Sequence, residues 1–281
     1  MTKSTKSCGW APDVSDRREH IYDAVRPKLK LPPTVDLRRG CFVVEDQGAL
    51  GSCTVQALAG HLEFLDNRED NNYMDLSRLF IPKRNRFKKF KEYDEERLGI
   101  ILLSLICDPK RKQYIYYNER LLEGTVKSDS GAAIRDGIKT LAKTGVCAES
   151  SWPYVINRFA DKPPSMCYSQ TLKHRIVSYH HLTTINEMLI CLSDGYSFVF
   201  GFTVHESVES PQVARTGIAP MPGKPERVLG GHAVVAVGFN QKDKRFLVRN
   251  SWGAKWGRRG YFTMPFAYLE SLAQDFWTIR K

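Results

Sequence analysis

The sequence predicts an α+β protein in which a helical half precedes a β-rich half, with a cleft between the two. Three observations carry this reading. Residues 50–148 show mostly helical periodicity, the chain after "SSWPY" breaks into short β-rich runs, and turn residues separate those runs. The chain accordingly divides into a polar, basic leader (1–31), a mainly helical part (32–150) and a mainly β part (151–281).

The leader ends in "RPKLKLPPT", where Pro32 and Pro33 enforce an extended exit. The first helix follows "QGALGSC". Val55, Leu58, Ala59, Leu62 and Leu65 recur on one helical face, which puts Cys53 at or just before the first turn. Unpaired N–H groups and the positive end of the helix dipole favour an anion there, so the Cys53 thiol is expected to lose its proton easily. An apolar segment follows from Leu98 to Cys107, then "GAAIRDGIKTLAKTG" with Gly145 as the helix stop. The β part reads as "HRIVSYHHL", "YSFVFGFTV", "HAVVAVGF", "RFLVRNSW" and "GYFTM".

A chain of 281 residues with 42% hydrophobic content supports a proper core. No window approaches the roughly 18 apolar residues of a membrane span. The lysines of "MTKSTKSCGWAPD" precede no apolar run, so no secretory signal is expected; a cytoplasmic protein is favoured, with a secreted one as the alternative. Seven cysteines, an odd number without a CxxC pair, fit a reduced protein better than a disulfide framework or a zinc–thiolate site. The plain reading of any one of them is a small buried apolar side chain. A net charge of +11 raises the question of polyanion binding. Much of the excess lies in "PKRNRFKKFK", where Lys83, Arg84, Arg86, Lys88 and Lys89 form a candidate phosphate or nucleotide site; a solvated insertion is the competing reading.

A nucleophilic cysteine needs an imidazole, and the imidazole needs a group to orient it. His61 lies inside the Cys53 helix, more than two turns away. His180 and His181 alternate faces of a strand and lack a third ligand, so no metal or cofactor is expected. His20, His174 and His205 have no companion motif. His232 opens "HAVVAVGF", a strand buried on both faces, and so looks into a cleft from its mouth. A hairpin with "RFLVRNSW" centred near residues 241–242 puts His232 opposite residues 250–252. Asn250 falls there, with a side-chain oxygen able to accept the imidazole N–H, and Trp252 is placed to shield that bond.

Gln47, "GSC", "GGHAVVAVGF" and "RNSWGAKWGRRGYF" together resemble, in order and context, the papain-like cysteine peptidases. "SDSGAAIRDGIKTLAKTGVCAESSWPY" is similar to the family segment running from the substrate wall to the interdomain crossing. Thr54 after the cysteine and the start "GWAPDVSDRREHIYD" resemble the bacterial, xylellain-like branch. The resemblance implies the papain-like two-domain fold, a helical left domain and a β-barrel-like right domain around an active-site cleft.

It also implies roles. Cys53 is the nucleophile, His232 its acid–base partner, Asn250 the orienting group and Gln47 an oxyanion donor. Gly131 and Ala132 would pair with an extended peptide or protein substrate. Ala133, Ile134 and Ala233 would line the pocket for the side chain two residues before the cut, favouring hydrophobic or aromatic groups there, with Gly231 and Trp252 alongside. The leader would lie in the cleft as an inhibitor of an endopeptidase. Two departures stand out. Leu50 replaces the cysteine that forms a family disulfide, and the separation of Cys53 from His232 exceeds the roughly 130 to 150 residues usual for papain and cathepsins. The alternatives are a catalytically dead binding protein, an amidase or transferase using the same Cys–His pair, and a nucleotide- or polyanion-binding protein acting through the basic insertion.

Overall fold

The computed structural model describes residues 8–13, 31–69, 112–147, 151–171 and 175–281. The expected apolar segment 98–107 and the basic run 82–91 lie outside the described residues.

Helix α1 (Cys53–Glu69) is the axis of the helical half. Its predicted face, Val55, Leu58, Ala59, Leu62 and Leu65, is fully buried, at roughly 1.5 to 3 kcal/mol for each large aliphatic side chain. Helices α2 (Lys112–Glu123) and α3 (Ile134–Lys143) pack on α1. Gly145 adopts φ 72, the left-handed turn expected of a helix stop. The sequence reading placed no helix over α2, because its Tyr-rich first turns obscure the period.

The β half is a seven-stranded sheet ordered β2 (Ser178–His181), β7 (Ala273–Arg280), β3 (Phe198–His205), β4 (Val228–Asn240), β5 (Arg245–Arg249) and β6 (Tyr261–Pro265), with β1 (Thr34–Asp36) pairing the end of β4. Alternation along β3 explains its stability: Phe198, Phe200 and Phe202 join one core cluster, while Val199 joins the cluster under α1. Strand β4 divides in the same way, with Ala233, Val235 and Val237 against α1 and Val234 and Ala236 on the other face. Short helices α4 (Ser165–Gln170), α5 (Ile185–Ser193), α6 (Pro211–Thr216) and α7 (Phe266–Leu272) close the ends. Strand β2 is joined to β3 through α5, whose start is locked by a Thr184–Glu187 capping box.

All five strands expected from the sequence are present, within small shifts of their ends. Strands β1 and β7 were not anticipated. The three residues of β1 are too few for a period, and β7 opens with Ala, Gln and Asp, which carry little strand signal. No helix among the described residues is long and apolar enough to cross a membrane.

Candidate active site

The groove between α1 and the β3–β4 part of the sheet gathers the residues singled out from the sequence. Cys53 opens α1 and is fully buried. Its thiol faces the backbone N–H groups of Ala233 and Gly9, which places the sulfur beside the His232–Ala233 peptide of β4. The β4–β5 pairing, Val235 against Arg249, carries His232 towards the chain just beyond β5. There His232 Nε2 lies 2.8 Å from Asn250 Oδ1. Oδ1 is an acceptor, so Nε2 carries the proton and Nδ1 is the ring's lone-pair nitrogen. Nδ1 is buried with no hydrogen-bond partner among the described residues. Trp252 stacks on the imidazole with centroids 4.7 Å apart and planes 24° apart, and Phe202 meets it edge-on.

Gln47 is held from both sides. Its Nε2 donates to Leu50 O at 2.9 Å, its Oε1 accepts from Ser251 Oγ at 2.6 Å, and its backbone N–H donates to Ser251 O. The turn from Gln47 to Cys53 is pinned further by Asp129, which accepts from Gly51 N–H, and by Tyr154, which donates to Gln47 O. Next to Cys53, Thr54 donates to the buried Glu119, whose carboxyl is pushed well above the usual range by burial. Thr54 at the position after the cysteine thus anchors α1 to α2.

Leader residues 8–13 run through the groove. Ala132 N–H donates to Gly9 O, Ala11 N–H to Ala132 O, and Trp10 N–H to Gly231 O, with Trp10 paired in parallel to Ala132. Gly131 has φ 73, and a methyl group there would overlap Gly9 O, so only glycine permits this approach. The Trp10 indole lies over Gly201 and Gly231; a Cβ at Gly231 would sit 2.6 Å from the ring, and one at Gly201 would overlap it. Trp10 Nε1 donates to Asp275 Oδ2 at 3.1 Å, and Asp13 N–H donates to the same oxygen at 2.9 Å. Asp13 in turn accepts from Trp277 Nε1 and Arg135 N–H.

With the leader in place the electrostatics differ from the expectation of an easily ionised thiol. Burial pushes Cys53 up to about 12, the Ala233 and Gly9 N–H groups offsetting only part of it. Burial also lowers His232 to about 4, against the opposing bond to Asn250. The helix terminus is there, but loss of solvent outweighs it, and the pair is a neutral thiol and a neutral imidazole.

Gln47, Cys53, His232, Asn250 and Trp252 are therefore brought to one end of the groove, and Ala132 and Gly231 hydrogen-bond the leader while Gly131 lies close against Gly9. Ala133 caps α3 and donates to Glu123, while Ile134 is packed in the core. Lys83, Arg84, Arg86, Lys88 and Lys89 lie outside the described residues. Among the described residues no cluster of His, Cys, Asp and Glu is arranged to hold a metal. The sequence reading missed Gly201, Asp275 and Ser251, and gave Trp10 no separate part. For Asp275 a signal existed: an aspartate inside "AQDFWTIR" opposes strand propensity, and it adopts φ 59.

Comparison with known proteins places the chain in a family. The model of the family described as papain family cysteine protease matches residues 125–269. A peptidase C1-like protein of Acanthamoeba polyphaga mimivirus is 41% identical over 273 residues, spanning 92% of this chain and 77% of the relative. Xylellain, a cysteine protease from Xylella fastidiosa, is 35% identical with a TM-score of 0.77, covering 100% of this chain and 98% of xylellain. ProCathepsin B S9 from Trypanosoma congolense shares the fold, with a TM-score of 0.66 at 14% identity over 98% of this chain and 87% of that one.

Proposed function

This chain belongs to the papain family of cysteine proteases, and on that premise we propose that it is an endopeptidase held inactive by its own N-terminal leader. The observation that carries the proposal is the leader segment around Gly9, hydrogen-bonded through Gly9, Trp10 and Ala11 to Ala132 and Gly231 on both walls of the groove beside Cys53. The Gly9 carbonyl is engaged by the Ala132 N–H, so this pose fills the site while holding that carbonyl on the groove wall. A chain that continues on both sides of Gly9 occupies the cleft, which is what an endopeptidase must admit.

When the leader leaves, water and substrate enter, the burial cost on both groups falls, and the thiol proton passes to His232 Nδ1. Cys53 Sγ then attacks the scissile carbonyl, forming the C–S bond. His232 returns the proton to the leaving amine as the C–N bond breaks, and water hydrolyses the thioester. Asn250 holds the imidazole in register. The Gln47 amide and the Cys53 backbone N–H donate to the developing oxyanion, and Ser251 and Leu50 hold Gln47 in place beforehand.

Peptide hydrolysis by the wild-type, Cys53→Ala and Trp10→Ala proteins tests both halves. Cys53→Ala is expected to abolish turnover, and Trp10→Ala to raise it by loosening the leader. An active Cys53→Ala protein would overturn the peptidase assignment, and equal rates for wild type and Trp10→Ala would overturn the inhibitory part alone.

A further inference from the structure

The peptide group between Leu50 and Gly51 is gripped at both ends. Its carbonyl, Leu50 O, accepts from Gln47 Nε2 at 2.9 Å, and its N–H, on Gly51, donates to the two carboxyl oxygens of Asp129 at 2.9 and 3.0 Å. Tyr116, fully buried on α2, donates its hydroxyl to Asp129 Oδ1. Burial, and then Asp129 itself, raise the Tyr116 phenol above its usual range, so it stays a donor. Arg120, one turn further along α2 and also fully buried, holds the loop that carries Asp129. It donates to Val126 O at 2.7 Å and to Ser128 O at 3.0 Å, and its guanidinium lies 3.9 Å from the Tyr116 ring centroid. Leu50 offers no thiol and Cys53 is free, so hydrogen bonds and packing hold this turn.

Resting on the peptidase reading above, we propose that Asp129 is a positioning residue for the oxyanion site: by fixing the Leu50–Gly51 peptide it fixes the carbonyl that orients the Gln47 amide. The peptide group is planar, so Leu50 O and the Gly51 N–H turn together. A carboxylate on the N–H side stops that rotation. It also polarises the peptide and so strengthens the acceptor on the far side, because hydrogen bonds in a chain reinforce one another. One Nε2 proton of Gln47 is thereby committed to Leu50 O, and the second is the one the proposed mechanism gives to the oxyanion. Ser251 holds the same amide through its Oε1, so the amide plane is set from two directions. The carboxylate also ties this turn to the groove wall, where the Gly131 nitrogen lies 3.5 Å from the place a Cβ of Gly51 would occupy. Asp129 reaches the reaction through Gln47, so its effect on turnover should vanish where the Gln47 amide is already gone.

A double-mutant cycle on peptide hydrolysis tests this in the full chain carrying Trp10→Ala. Asp129→Ala is expected to lower kcat about tenfold with KM unchanged, the worth of roughly one hydrogen bond, and to add nothing once Gln47→Ala is present. A tie that merely stabilised the fold would cost the same in both backgrounds. Asp129→Asn keeps an acceptor oxygen for the Gly51 N–H and is expected to restore most of the loss. Tyr116→Phe keeps the buried ring, removes the hydroxyl that steadies the carboxylate, and is expected to cost about threefold, again only while Gln47 is present. Losses of equal size in the Gln47→Ala background would overturn the inference. A second readout needs no turnover: NMR follows proton exchange of the Gly51 N–H and of the Gln47 side-chain amide in the full chain with and without Asp129→Ala. Both are expected to exchange faster in the variant. An unchanged Gln47 amide would overturn the inference, whereas a faster one in chains that cleave no peptide, Trp10→Ala included, would sustain the positioning and overturn the peptidase reading instead.

Discussion

His232 Nε2 and Asn250 Oδ1 stand 2.8 Å apart beneath the face of Trp252, and the same Oδ1 also accepts the Ser251 N–H at 2.8 Å. The asparagine oxygen is therefore fixed by the backbone before it meets the ring, and the ring is turned so that Nδ1 is left without a partner among the described residues. Asn250→Ala leaves the imidazole free to rotate and to exchange tautomers. It is expected to lower kcat by on the order of 10²-fold, the low end of what a positioned acid–base group contributes. Single-turnover kinetics on a Trp10→Ala background measures it; an unchanged kcat would deprive Asn250 of its orienting role.

The grip on Gln47 gives a graded pair of outcomes. On the proposed mechanism Gln47→Ala removes an oxyanion donor and is expected to cost on the order of 10² to 10³ in kcat. Ser251→Ala leaves the amide present but takes away the 2.6 Å hydroxyl contact that holds its oxygen. Its loss is expected to be smaller, about tenfold, the worth of roughly one hydrogen bond. Equal effects of the two substitutions would mean that Ser251 does more than position Gln47.

Thiol reactivity reports the closed state directly. With Cys53 pushed up to about 12 by burial, its reactive thiolate is scarce throughout the ordinary pH range, and alkylation by iodoacetamide should climb about tenfold per pH unit up to pH 10. In Trp10→Ala the sulfur meets solvent and an imidazolium, and the rate should level off at a lower pH. Mass-spectrometric quantification of alkylated Cys53 distinguishes the two profiles. Superimposable curves would show that the leader does not control the thiol.

His61 predicts an acid weakness in the fold. It lies buried in α1 with neither ring nitrogen bonded among the described residues, and burial lowers it to about 3. Its folded value is below the unfolded one near 6.5, so the unfolded chain binds the extra proton. Stability should therefore fall as pH drops from about 6.5 towards 3, by on the order of 3 to 5 kcal/mol over the full window. His232 adds to this, while Asp275, raised by burial, works in the opposite direction. Replacing His61 by Leu, similar in volume, should flatten the fall in Tm measured from pH 7 to 4. A slope identical to wild type would exonerate His61.

Much of the site was legible in one dimension because its parts are local. The period of α1 locates Cys53 at a helix start, and the spacing of β4, its turn and β5 brings His232 to Asn250 without knowledge of the rest of the molecule. Such arguments need only backbone repeat lengths. Helix α2 and strands β1 and β7 escaped them, because their side chains are chosen by what they pack against and not by a period.

The sequence alone thus determined the candidates: one thiol, one imidazole and one amide, each announced by a short motif. Only the tertiary structure decided the state of those groups and the shape of the groove around them. Trp10 and Asp275 are 265 positions apart and meet over 3.1 Å, and no local pattern links them. The neutral thiol–imidazole pair likewise belongs to no single residue. Desolvation is a collective property of everything that excludes water from a point, and it exists only once the leader, the helix and the sheet have closed around it.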